Sequence, residues 1–303
     1  MVNIKIDNVN FNLKEEHDFS WLSSFGTVFT AFDQNDSGNI SFGVYDGIDK
    51  YFIKAAGLKT TDSVRTPEEA IASLEGAMPL YENIRHKNLI QLCKHYPFDD
   101  IYIAVFNWAE GDCLFDHWNF DKYRKNPQIV PPAERFKKLP ISKRIESADV
   151  LFSFLDTVSK SGYVAVDFYD GSIMYDFTTN TTTICDIDFF RKKPTFNDMG
   201  ENYWGTKRLK ASEEYIFGAV IDESTNVYTL GALMLDCFFG NYTDVEIEQR
   251  YKTNAFSPCL FENWELSKEC YDVVLKSVAI KRAERYASIN EFHTAWNVAL
   301  FAK

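Results

Sequence analysis

The pattern of hydrophobic and polar positions divides the chain into a β-rich first third and a mainly helical remainder. TVFTAFD (27–33) is rich in β-branched and aromatic residues, NDSGN reads as a turn, and ISFGVYD (40–46) follows as a second strand. Asp46-Gly47 is a hairpin signal leading into KYFIK (50–54), a third strand. Thr66-Pro67 predicts a helix start: Thr66 can cap it, Pro67 fits the first turn, and Glu68 and Glu69 favour the dipole. Apolar spacing continues through Ile71, Leu74 and Met78, and Pro79 is expected to end or kink the helix. NLIQLCKHY (88–96) and IYIAVFNW (101–108) read as two more strands, and AEGD (109–112) as a connector.

Beyond the connector, the stretch 121–140 with Pro131-Pro132 reads as a surface loop. ISKRIESADVLFSFLDTVSKSG (141–162) predicts a long amphipathic helix ending at Gly162. A β interlude follows in YVAVDF, SIMYDF and TTTICDIDFF, with a turn at Asn180, and residues 211–300 read as mainly helical. The expected organisation is an α+β fold: a five-stranded lobe with one helix and an N-terminal extension (1–108), a hinge about 107–111, and a larger, mainly helical lobe (109–303) carrying a β-ribbon. Ligands favour clefts between such lobes.

Composition changes this picture little. The 303 residues are 46% hydrophobic and 25% charged, an ordinary balance for a soluble globular protein. A net charge of -12 argues against a nucleic-acid surface, which needs a basic face. It does not argue against nucleotides, since one phosphate site needs only a few local cations and a metal. The six cysteines form no CxxC pair, and most sit in apolar runs, which predicts buried free thiols in a reducing compartment. The five histidines show no zinc-binding spacing. The N-terminus lacks the pattern of a signal peptide, and the most apolar stretch, YTLGALMLDCFFG (228–240), is too short to span a bilayer. The expectation is a cytoplasmic protein with no membrane span.

Several motifs then fall in an order that resembles the eukaryotic-type serine/threonine protein kinase family over about residues 20–298. FIK (52–54) resembles the third-strand V-A-I-K motif, which implies that Lys54 holds the α- and β-phosphates of ATP. Its partner would be Glu75, with Glu82 as second candidate; the usual spacing back from His86 lands on Ala77. The glycine-rich loop has two placements. SSFGTVF (23–29) keeps only Gly26, whereas NDSGNISFGV (35–44) keeps Gly38 and Gly43 and is favoured. Glycine matters there because backbone N–H groups must approach phosphates closely. VFNWAEGDCLFD (105–116) resembles the joint between the lobes, with Phe106 as gatekeeper and the backbones of Asn107 and Ala109 toward adenine.

GYVAVDFYDGSIMYD (162–176) resembles the catalytic loop H-R-D-L-K-P-x-N-I-L-x-D, with Asp167 as the catalytic aspartate. Ala165, Val166, Tyr169 and Ser172 replace the family's His, Arg, Lys and metal-binding Asn. The lost arginine implies freedom from activation-loop phosphorylation. The lost lysine and asparagine remove a charge and weaken a metal position, where Asp170 is an alternative carboxylate. ICDIDFF (184–190) stands at the place of D-F-G. Asp186 is the implied Mg²⁺ or Mn²⁺ ligand and Asp188 the other candidate; on alternate strand positions both would face the same way. GTKRLKASE (205–213) resembles G-T-x-x-Y-x-A-P-E, which implies that Thr206 faces Asp167 and that Glu213 pairs with Arg285. STNVYTLGALM (224–234) resembles the D-V-W-S-L-G helix, with Asn226 for Asp.

Three functions follow from the resemblance: an active kinase of protein serine or threonine hydroxyls, a pseudokinase that binds without transfer, and a phosphotransferase of small molecules. The protein substrate or binding partner is not named by any motif.

Overall fold

The first unexpected element is at the very start of the chain. In a computed structural model describing residues 1–34, 37–116, 119–253 and 256–302, strands β1 (Val2–Ile6) and β2 (Val9–Leu13) form an antiparallel hairpin. Asp7, at φ 51°, turns it. Alternation of Val2, Ile4 and Ile6 with Asn3 and Lys5 gives it one apolar face. Ile4, Ile6 and Val9 pack against a core that includes Phe11, Phe42, Ile53 and Ile103.

The chain divides into two units, Met1–Asn83 with Ile90–Glu110, and Ile84–Leu89 with Gly111–Lys303. The first holds β1 and β2 and an antiparallel five-stranded sheet. Its strands are β3 (Thr27–Phe32), β4 (Asn39–Tyr45), β5 (Lys50–Ala56), β6 (Leu92–Phe98) and β7 (Ile101–Asn107), in the order β3-β4-β5-β7-β6. β4 and β7 are buried along all but their last residue, so they read as continuous apolar runs.

Helix α1 (Pro67–Asn83) starts as expected. The Glu69 N–H donates to Thr66 Oγ1 (3.2 Å) and the Thr66 N–H to Glu69 Oε2 (2.8 Å), a reciprocal cap. Pro79 does not end it. Pro79 faces solvent, while Met78, Leu80 and Tyr81 around it are buried, and this packing carries the helix one more turn.

The second unit contains β8 (Asp112–Cys113), α2 (Phe120–Lys125), α3 (Pro132–Lys137), α4 (Ile141–Lys160), β9 (Tyr163–Val164), β10 (Ile173–Asp176) and β11 (Thr181–Ile184). Then come β12 (Arg191–Lys192), β13 (Thr195–Phe196), β14 (Val220–Ile221), α5 (Glu223–Leu233), α6 (Asp244–Thr253), α7 (Lys268–Ser277) and α8 (Ile289–Leu300). α5 runs into a π-helical turn, Met234–Phe238. The strands make three small antiparallel sheets: β11-β10-β8, β12-β9 and β13-β14.

This overturns the expected α+β, two-lobed kinase-like fold. The chain is mixed α/β: five separate antiparallel sheets are spread through both units, and no kinase two-lobe arrangement is shown among the described residues. The pattern reading found β9 within YVAVDF but missed β8, β12, β13 and β14, strands only two residues long that carry no periodicity. Two local expectations also change. The stretch 121–140 carries α2 and α3, not a loop. The strand expected from 88 begins only at Leu92, because residues 84–89 belong to the second unit. There Leu89 bridges Ile184 and the Ile184 N–H donates to the Asn88 carbonyl (2.7 Å).

All six cysteines are free thiols, but only Cys259 and Cys270 are buried, and Cys93 is exposed. No helix among the described residues is long and apolar enough to cross a membrane.

Candidate functional site

The Asp167 loop is held at successive points within the second unit. Val164 on β9 and Val166 just beyond it enter a small core with Tyr203 and Ile221. Between them Ala165 is clamped from both sides: its N–H donates to Asn226 Oδ1 (2.9 Å) and its carbonyl accepts from Asn226 Nδ2 (2.6 Å). Phe168 is buried beside Phe154 and Phe190. The ring of Tyr169 lies across Gly171, where a Cβ would come within 2.4 Å of it, so any side chain at 171 would displace the ring. Asp170 binds Arg208, and the Ser172 carbonyl accepts the Cys185 N–H (2.9 Å). That last bond ties this loop to the one carrying Asp186.

Within this frame the backbone at Asp167 and Asp186 is left-handed, with φ of 57° and 54°. Among the described residues three other non-glycine positions share this conformation, Asp7, Asp99 and Asn180, and each sits in the turn of a β-hairpin. Asp167 and Asp186 turn no hairpin. Left-handed non-glycine residues outside such turns cluster where function demands them. Asp186 is not on a strand, since β11 ends at Ile184; the alternation expected to aim Asp186 and Asp188 together does not operate. Ile187 between them is buried, Asp186 is exposed and Asp188 half-buried.

The Tyr169 phenol senses both aspartates. Burial raises its pKa far above the usual value, and the charges of Asp167 and then Asp186 add to this, so the phenol stays neutral. A second charged group lies in GTKRLKASE. Lys210 is 5% exposed, and its ammonium donates to the Tyr203 carbonyl and lies 4.7 Å from the Tyr215 ring centre. Burial pulls its pKa down, against the pull of Glu214 and Asp167. Glu214 accepts the Ala211 N–H (2.7 Å), yet burial, with Glu213 and Asp167 adding, pushes it up to about 8. Both side chains close on Gly205, at φ 120°, the residue before half-buried Thr206.

The expected ion pair is present. Arg285 grips Glu213 with two bonds (2.7 and 3.0 Å), both side chains buried. Burial alone would raise the Glu213 pKa; the bonds and charge of Arg285 outweigh it and hold it below the usual value.

The first unit places its own candidates separately. Lys54 is 9% exposed at the middle of β5, in register with Ser41 on β4 and Ala104 on β7. Glu75 is exposed on α1, where its charge raises the Tyr102 phenol after burial has done so. Glu82 lies 3.2 Å from His95. Asn35 and Asp36, in the favoured glycine-loop placement, lie outside the described residues. Gly38 belongs to the connection between β3 and β4, at φ 82°, while Gly43 is inside β4 with the Phe29 ring 2.6 Å from where a Cβ would stand. Phe106 is buried on β7 against Tyr81 (4.9 Å). The Asn107 N–H donates to the Gln91 carbonyl (2.9 Å), and Ala109 is half-buried just beyond the strand.

A divalent metal fits the donor types near Asp186. Asp186 and Asp188 supply hard carboxylate oxygens, and buried Ser172 Oγ has no hydrogen-bond partner. Among the described residues no cluster of three or more His, Cys, Asp or Glu forms a metal cage. Mg²⁺ does not require one, since it keeps several waters and takes one or two carboxylates plus substrate phosphates.

The sequence reading did not find the work of Asn226, Arg208, Lys210 and Glu214. Asn226 was legible only as a substitution in a helix motif, and the other three occupy positions whose burial no local pattern reveals. In comparisons with known proteins, no family model and no curated sequence matches the chain.

Proposed function

We infer that the chain is an ATP-dependent phosphotransferase of the protein-kinase type, acting on serine or threonine hydroxyls. The observation that carries this is the pair of left-handed aspartates, Asp167 and Asp186, on two loops joined by the Cys185–Ser172 bond. Strained carboxylates held by surrounding structure suit chemistry that is largely positioning and electrostatics.

In this reading Asp167 orients the acceptor hydroxyl and takes its proton. Asp186, with Asp188 and Ser172 as further donors, would hold Mg²⁺ or Mn²⁺. Such an ion, when bound, supplies the positive charge that phosphate oxygens require. Tyr169, neutral and half-buried, offers a hydroxyl donor in place of an ammonium. In the first unit Lys54 is the group assigned to the α- and β-phosphates, a point charge on a rigid strand.

The test is transfer of labelled γ-phosphate from ATP, with Mg²⁺ or Mn²⁺, to a panel of protein and peptide hydroxyls. Transfer that Asp167→Ala abolishes is expected. Activity that survives this substitution, or none in the wild type, overturns the reading.

A second reading is favoured by Tyr169 itself. A neutral phenol in place of the loop lysine suits a pseudokinase that binds nucleotide without transferring phosphate. It predicts stabilisation by ATP with no Asp167-dependent transfer.

A further inference from the structure

Arg208 occupies an unusual place. One guanidinium nitrogen binds Asp170 and another binds Asp236, and the group lies 5.3 Å from the Phe115 ring centre. The two carboxylates are 6% and 13% exposed. Burial works against the arginine's charge, but Asp170, then Cys237 and Asp236, more than offset this. Three segments therefore meet at one side chain: the loop three residues beyond Asp167, the stretch two residues beyond Thr206, and the π-helical turn after α5. Asp236 and Cys237 both lie in the π turn, and Arg208 reaches the Cys237 sulfur at 3.7 Å. Single π turns recur at functional positions.

We propose that Arg208 is a positioning residue that holds the Asp167 loop in its working form, a role that rests on the phosphotransfer reading. The loop has no cation of its own, since Val166 and Tyr169 stand where the resembled motif has arginine and lysine. Arg208 supplies one from outside. Without it, Asp170 and Asp236 would lose the cation they share, and two little-exposed carboxylates close together repel or take up a proton. The loop has somewhere to go. A cavity of about 190 Å³ lies alongside, lined by Leu114, Phe136 and Lys137 as well as the three charged groups. On this side the loop borders open space and not a packed wall.

The fork geometry gives the tie its direction. One guanidinium nitrogen to each carboxylate sets the guanidinium plane between them, whereas a lysine ammonium is a point charge that sets no plane. Asp170 is thereby set in angle as well as position, and so is the backbone that carries Asp167.

Hydrogen exchange by mass spectrometry on the whole chain tests this. In Arg208→Ala, amides of both 165–172 and 203–212 exchange at least about tenfold faster, while those of α4 are unchanged. Arg208→Lys recovers only part of the protection. Asp236→Asn, a milder change that breaks one arm of the tie, moves the same two segments in the same direction and serves if Arg208→Ala does not fold. Wild-type exchange at 165–172 in these variants overturns the proposal. In the transfer assay Arg208→Ala lowers kcat and leaves KM for ATP unchanged; an unchanged kcat also overturns it. If the wild type transfers no phosphate, the phosphotransfer reading fails, whereas loop exchange still decides whether Arg208 holds the loop.

Discussion

Two groups of acidic side chains in the second unit are treated in opposite ways. Glu213 is buried, gripped twice by Arg285, supported by the Thr225 hydroxyl (2.9 Å), and lies in ordinary backbone. Asp167 and Asp186 are more exposed and stand in left-handed backbone outside any hairpin. The first arrangement is what stability asks of a buried charge: a partner and satisfied lone pairs. The second costs conformational energy and buries little, which a fold tolerates when the residue is needed for something else. The difference separates a structural carboxylate from candidate chemical ones without reference to any motif.

The largest effect is expected on the structural side. Arg285→Ala takes both short bonds from buried Glu213 and leaves it the longer 3.3 Å contact to Arg282, and denaturant unfolding should show a loss of about 3 kcal/mol. A loss below about 1 kcal/mol would erase the comparison. Next comes the clamp on the Asp167 loop. Asn226→Ala strands the Ala165 N–H and carbonyl in a buried place and should cost about 2–3 kcal/mol by the same measurement.

A pH-dependent term sharpens the picture further. Glu214 ionises near 4.5 when unfolded and near 8 when folded. Between these values the folded chain holds the extra proton, so this group makes stability fall as pH rises through the window and level off above it. Glu214→Gln removes the term. Its melting temperature, relative to wild type, should therefore be higher at about pH 8.5 than at about pH 5. A constant difference would mean that Glu214 is not the neutral buried acid described here.

The smallest effect belongs to the candidate chemical pair. Asp167→Gly or Asp186→Gly relieves left-handed strain, so unfolding free energy should stay within about 1 kcal/mol of wild type, on the stabilising side. A large loss in either would place that aspartate with Glu213.

Legibility in the sequence followed the physics of each element. The β3–β5 meander and α4 were legible because their apolar runs are long enough to show a period, and the cap at Thr66 because its residues are local. The Glu213–Arg285 pair, 72 residues apart, was reached only through a motif resemblance. The opening hairpin was missed although its Val, Ile and Phe alternation is present, since the Asn residues interleaved with them are depleted in strands. Pro79 misled because tertiary burial on both sides overrode its local effect. The left-handed backbone at Asp167 and Asp186 had no sequence signal: aspartate tolerates that conformation but does not announce it. Arg208 was illegible for a different reason, as its partners lie 38 and 28 residues away on segments whose meeting is a tertiary fact.

The central claim is that Asp167 and Asp186 are kept for a ligand and not for the fold. It is tested most directly by melting wild type and Asp186→Asn with and without ATP and Mg²⁺. Equal melting temperatures are expected without ligand, and a rise with ATP and Mg²⁺ in the wild type alone, corresponding to a stabilisation of about 2.7 kcal/mol at a hundredfold excess over Kd. No rise in the wild type, or an equal rise in Asp186→Asn, would contradict it.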